Sequence, residues 1–553
     1  MQLTVKHECD CLQWVEEGAI LPVPQNPPAS RTLPALVTEM AQRCPEHPFL
    51  IEPGQTLTYQ AFEEAVQSFA RGLMALGIRR GDPVAILMGN RIEWIVADFA
   101  ICSIGAVMVG LNTWATTNEL QYFLKHSQAR ALITSGRYLK NDYLHMLEEI
   151  RESSIQDLAH LRHVIVTDEV ADNGQYQRWS DIRQLANQTP VADFQAARDA
   201  VAPDDICYLL YTSGSTARPK GVLLQHAPMI ENMWHIGQRQ HVGPNDRLWL
   251  AVSLFWGLGC ENALFNVMTH GASLVLQSHF DAAVAIRLIN ETGCTLFYGT
   301  PNMVTALIES EPYATLGFSE MRGGATIGSP EQIQRLVDAG LTDICNIYGL
   351  TETYGNCHVT DAAQPLEQRL RCVGQPLPGN QARICDPLTD AVLPTGEIGE
   401  IRIKGRVLLG YLNDLEATQK AFDPDGYFKT GDLGYEDETG HLHFKGRIKE
   451  LIKAGGMNVS PVEVEEVIMA HPAIITAFCV GIPAQEADET AVAAVVVCKP
   501  GLTVDEANLR DWCATKLARY KRPTKYLFVA DHEIPLTTTG KVKKNEIAHM
   551  FQH

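Results

Sequence analysis

From about residue 34 onward, apolar runs of strand length alternate with amphipathic helical stretches. Leu57-Thr58-Tyr59 reads as a short strand that introduces a helix over 60–76. Pro83–Met88, Ala129–Thr134 and His163–Thr167 read as buried strands, with a helix from about Ile92. Continuous apolar strands separated by helical patterns predict largely parallel sheets with helices on both faces. The longest apolar run, Phe99–Leu111, is too short to cross a bilayer and reads as a buried helix. The proline-rich opening (Pro22, Pro24, Pro27, Pro28) is expected to wrap over the surface. The pattern changes near residue 373, where Gly, Pro and short alternating segments such as Gly399–Gly405 predict a small antiparallel β subdomain over about 373–445. It changes again at Gly446–Glu450. A helix from Pro461, strand Ala491–Val497, helix Val504–Leu517 and strand Tyr526–Val529 then form an α+β unit of domain size. The expected division is 1–448 and 449–553.

With 553 residues, 46% hydrophobic and 20% charged, the chain needs more than one core and has ordinary globular composition. A net charge of −20 argues against nucleic-acid binding but leaves room for a local cationic pocket. Fourteen scattered cysteines without a CxxC pair point to reduced thiols rather than disulfides or structural zinc. The first residues lack a signal-peptide layout and the last three are no peroxisomal address, so the expected location is cytoplasmic.

The densest chemistry lies in Tyr211-Thr212-Ser213-Gly214-Ser215-Thr216-Ala217-Arg218-Pro219-Lys220-Gly221, directly after the apolar run Ile206–Leu210. Hydroxyls, glycine backbone and an ammonium after a strand suit a polyphosphate. It is not a Walker A loop, because Pro219 occupies the required glycine position. Four further motifs follow in order: Tyr348-Gly349-Leu350-Thr351-Glu352-Thr353, Tyr427–Asp432, Gly446–Gly456 and Pro535–Lys541.

Together the five motifs resemble the adenylate-forming superfamily, which includes acyl-CoA synthetases, over essentially the whole chain. The resemblance implies an α/β fold: a large N-terminal domain of helix-flanked sheets with a β-rich subdomain, and a small α+β C-terminal lid. It implies attack of a carboxylate on ATP to give acyl-AMP and pyrophosphate, then transfer to the thiol of CoA. By that resemblance Thr212, Ser213, Gly214, Ser215, Thr216 and Lys220 hold the β/γ-phosphates. Thr351 binds the α-phosphate, and Glu352, with Thr212, holds Mg²⁺. Asp432 accepts from the ribose hydroxyls and Arg447 adds a ribose or phosphate contact. Gly324, Ala325 and Tyr348 flank adenine, with Tyr348 available for stacking. Lys541 reaches the reacting oxygens in the adenylating conformation only. Lys449 falls at the family's hinge, and Gly455 and Gly456 at its pantetheine tunnel. The family usually has glycine where this chain has Ala217.

The segments matching the family's acyl pocket contain Phe255, Trp256, Gly257, Tyr298, Gly299 and Met303. These favour an apolar or aromatic carboxylate, as in fatty acid metabolism. Trp256 cannot pair with an ammonium as the aspartate of amino-acid-activating domains does, which argues against an α-amino acid. Two alternatives stand beside the CoA ligase: an acyl-AMP ligase that loads a carrier protein in trans, and a luciferase-like oxidative or non-catalytic relative. A homodimer is expected only from the family.

Overall fold

The computed structural model describes residues 24–168, 175–212, 218–454, 457–483, 490–536 and 542–551. Within them lie a nine-stranded and an eight-stranded sheet, a four-stranded antiparallel sheet, a five-stranded sheet and a two-stranded hairpin. The two large sheets are mainly parallel, as the continuous apolar strands require. Pro83–Leu87 sits between Val107–Gly110 and Ala131–Thr134, all parallel. In the other sheet, Leu296–Gly299, Gly323–Thr326 and Asp343–Tyr348 run side by side. Helices cover these sheets. One of them, Tyr59–Ala75, starts at Thr58, whose hydroxyl accepts from the Ala61 amide at 3.2 Å.

The apolar stretch Phe99–Leu111 is not one helix. Helix Ile92–Ser103, buried all round, ends there, and Val107–Gly110 is a strand. Gly105, at φ +70°, makes the turn between them, which a run of apolar residues does not reveal.

The antiparallel unit comprises Gln381–Cys385, Gly399–Lys404, Phe428–Glu436 and Leu442–Arg447. One short strand of this region, Gly410–Tyr411, leaves it and pairs with Lys220–Gln225 in the eight-stranded sheet. A 3-10 turn, Ile448–Glu450, separates the four-stranded sheet from the last one, whose first strand is Ile452–Ala454. That last sheet contains the expected strands Thr490–Cys498 and Lys525–Phe528 and an additional long strand, Ile474–Pro483, and the expected helix Pro461–Met469 packs beside it. No helix of the described residues is long and apolar enough to cross a membrane.

Candidate active site

A cavity of about 750 Å³ opens where the carboxyl ends of parallel strands meet the antiparallel unit. This is where open α/β sheets generally bind ligands, because the loops leaving the strands diverge there. Thr212 ends strand Ile206–Thr212, and Thr300 and Ile327 follow strands Leu296–Gly299 and Gly323–Thr326. Gly349 to Glu352 follow strand Asp343–Tyr348. The antiparallel unit closes the cavity with Asp432 and Arg447, and the 3-10 turn after it adds Lys449.

The polar half of the cavity is built by strand pairing. Thr212 lies opposite Lys220 in the antiparallel register of their strands. The displaced strand Gly410–Tyr411 brings the Tyr411 ring to 4.7 Å from Lys220 Nζ. Tyr411 Oη donates to Glu352 Oε1 at 3.1 Å, and the Leu408 amide donates to the Glu352 carbonyl at 2.7 Å. One loop therefore ties the lysine of the phosphate-binding motif to the carboxylate of the second motif. Burial pushes the Glu352 carboxyl above its ordinary range, opposed by the Tyr411 hydrogen bond and by the charges of Arg447 and Lys220.

Asp432 and Arg447 face each other on neighbouring antiparallel strands. The Arg447 Nε lies 3.1 Å from Asp432 Oδ1, and Tyr348 Oη donates to Oδ2 at 3.0 Å. The arginine contact is an ion pair without hydrogen-bond alignment, so buried Oδ1 keeps an unused acceptor. Burial raises this carboxyl to about 6 against the pull of Arg447. A 2%-exposed carboxylate with a free lone pair at a cavity wall suits a ligand hydroxyl.

The apolar half is lined by Phe255, Trp256, Gly257 and Leu258. Trp114 packs on Phe255 and Trp256 with ring centroids 5.6 and 5.9 Å apart. Glu261 and Asn262 stand among these residues in the π-helical turn Leu258–Ala263. The sequence reading passed over both, although one acidic residue between Cys260 and the run Ala263-Leu264-Phe265 was a visible signal.

The structure thus gathers Thr212, Lys220, Thr351, Glu352, Asp432, Arg447, Lys449, Phe255, Trp256 and Gly257 around one cavity. Other expected site residues lie elsewhere. Gly324 and Ala325 are inside the sheet, and Ile327 lines the cavity from that strand end instead. Tyr348 is 6% exposed and is held from two sides. Its ring packs near Phe444 and His358 at 5.8 and 5.9 Å, and only its hydroxyl serves the site, through Asp432. Tyr298 points to the opposite face of its strand, where its hydroxyl meets Gln240 Nε2 at 2.8 Å and Asn266 Nδ2 at 3.1 Å. Gly299 packs on the Phe297 ring and Met303 against the core. Ser213, Gly214, Ser215, Thr216, Ala217, Gly455, Gly456 and Lys541 lie outside the described residues.

Comparison with known proteins agrees with this geometry. The AMP-binding enzyme family matches residues 37–412, and the AMP-binding enzyme C-terminal domain matches 463–541. The acyl-CoA ligase sidI of Aspergillus fumigatus is 32% identical over 547 residues, covering 93% of this chain and 90% of sidI. Among solved structures, ATP-bound MatB from Rhodopseudomonas palustris superposes with a TM-score of 0.81 at 28% identity, covering 94% of this chain and 99% of MatB. The anthranilate CoA ligase AuaEII in complex with anthranoyl-AMP gives 0.81 at 26% identity, covering 95% and 98%. The chain belongs to the AMP-binding enzyme family and is an AMP-forming acid–thiol ligase, making an acyl adenylate from a carboxylic acid and then the CoA thioester.

Proposed function

We propose that the acid is apolar or aromatic and that the residues around the cavity divide the two half-reactions between them. The observation that carries this reading is the single cavity that joins a cationic and hydroxylic end to an aromatic end. Lys220, Thr212 and Thr351 stand where β-, γ- and α-phosphate oxygens can be held, and Asp432 and Arg447 where a ribose can be. A carboxylate oxygen of the acid attacks the α-phosphorus, the bond to the β-phosphate breaks, and pyrophosphate leaves. The CoA sulfur then attacks the acyl carbonyl carbon and AMP leaves with the electron pair.

Negative charge builds on the phosphoryl oxygens in the first step, and preorganised cations and donors lower its cost. The donor set fits Mg²⁺: one buried carboxylate, Glu352, faces the phosphate side, with the Thr212 hydroxyl at the same cavity, and Mg²⁺ commonly takes one or two carboxylates plus substrate phosphates. When bound there it would neutralise phosphate charge. Lys541 is assigned to the reacting oxygens, Lys449 to the rotation between half-reactions, and Gly455 and Gly456 to CoA. The cysteines within the described residues are free, which supports a reducing, cytoplasmic setting and a place in the activation of fatty or aryl acids.

The test is pyrophosphate release under Mg-ATP from a panel of fatty, aryl and alicyclic acids, with and without CoA. Release with apolar or aryl acids, and AMP formation coupled to thioester with CoA, is expected. Absence of release with every acid overturns the reading. Release without CoA consumption, followed by acylation of a carrier protein, replaces CoA as acceptor.

A further inference from the structure

Glu261 is 0% exposed, and neither of its carboxyl oxygens has a hydrogen-bond partner. Its neighbour Asn262 is 1% exposed, donates weakly to the Gly257 carbonyl at 3.4 Å, and leaves its own Oδ1 unpartnered. Three buried acceptors without donors therefore meet at the wall of the acyl end of the cavity. Among the described residues the other buried carboxyls have hydrogen-bond partners, Asp432 through one of its two oxygens. Asp98 accepts from the Tyr208 hydroxyl, Glu400 from Arg402, and Glu465 from the Cys479 amide and Lys544. A polar group buried without a partner is costly, and at a cavity wall a bound ligand can supply the partner.

The position is specific. A Cβ on Gly257 would lie 2.0 Å from Glu261 Oε2 and 3.5 Å from Thr351 Oγ1. The glycine thus makes room for the carboxyl, and the carboxyl sits close to the residue assigned to the α-phosphate. Burial, and next the charge of Glu352, hold this carboxyl well above the ordinary range, so a donor or cation bound against it would favour its charged form.

We propose that Glu261, with Asn262, selects the acid: together they accept hydrogen bonds from an amine or hydroxyl carried by the substrate near its reacting carboxylate. This rests on the acyl-pocket reading above and narrows it, from an apolar or aromatic acid to one bearing a donor. The missing aspartate at Trp256 does not exclude an amino substituent, because Glu261 supplies a carboxyl five residues on.

The experiment compares matched acids in the pyrophosphate assay: 3-phenylpropanoate with its 3-hydroxy and 3-amino derivatives, and octanoate with its 3-hydroxy and 3-amino derivatives. The wild-type enzyme is expected to favour a donor-bearing acid over its parent by roughly 10- to 100-fold in kcat/KM, mostly through KM. Glu261→Leu should erase or reverse that ratio. Glu261→Gln, whose amide oxygen still accepts, should keep the hydroxy acid and lose preference for the amino acid. Parents preferred in both series by the wild-type enzyme, or an unchanged ratio in Glu261→Leu, overturns the proposal while leaving the broader reading intact. No release from any of the six acids, with none from the wider panel either, overturns both. Should Glu261→Leu fail to fold, the wild-type ratio and Glu261→Gln decide.

Discussion

At the residue scale, the site rests on a few buried ionisable groups whose partners fix their behaviour. Asp432 binds its proton more tightly folded than unfolded, since burial raises it from 3.8 to about 6. In that window the folded state holds more protons than the unfolded one, so stability falls as pH rises from about 4 to about 6. Asp432→Asn is therefore expected to flatten this part of the stability–pH profile, measured by denaturant titration of the free protein against wild type. On the proposed ribose contact, ATP binding uses the carboxylate as acceptor and should rise across the same interval. At pH 8 the substitution should raise the ATP KM by roughly tenfold or more, the loss of a charged hydrogen bond worth about 1.5–3 kcal/mol. Tyr411→Phe removes the donor that orients Glu352. It should lower adenylation several-fold and increase the Mg²⁺ needed for half-maximal pyrophosphate release, with little change in the acid KM.

At the scale of elements, strands with unbroken apolar runs were legible because both faces of a parallel sheet are covered, and the sequence then carries no alternation to misread. Ile206–Thr212 and Pro83–Leu87 emerged close to the expected runs Ile206–Leu210 and Pro83–Met88. Phe99–Leu111 did not, because a helix end and a strand start share the same residue types and only Gly105 separates them. Gly324, at φ +122°, matches a nucleotide-flanking stretch, yet a Cβ there would lie 2.0 Å from the Phe297 carbonyl oxygen. The missing side chain permits close strand approach there. Gly324→Ala should cost about 2–4 kcal/mol of stability by denaturant unfolding, lowering activity in proportion to the folded fraction rather than through the ATP KM.

At the scale of the whole molecule, the proposed division of the two half-reactions asks the last sheet to move relative to the rest. The 3-10 turn Ile448–Glu450 is the short link between the four- and five-stranded sheets. Proline at Lys449 would fix φ at the assigned pivot. Lys449→Pro should slow complete turnover by roughly tenfold, while Lys449→Ala leaves it near wild type, when both half-reactions are timed separately. Lys541→Ala should abolish acyl-AMP formation and leave thioester formation from supplied acyl-AMP largely intact. Equal loss of both would refute a division of labour by rotation.

The sequence by itself determined the fold class, the family and the order of the nucleotide motifs. Each depends on local residue types and on spacing along the chain, which the sequence records directly. The tertiary structure decided which side chains share a cavity. It turned Tyr298 away, joined Tyr348 to the site through its hydroxyl on Asp432, drew Tyr411 across from another unit to Glu352, and left Glu261 at the cavity wall with no donor. Those outcomes depend on strand pairing and side-chain direction between segments distant in the chain. A carboxyl's partners, unlike its position, are not written next to it.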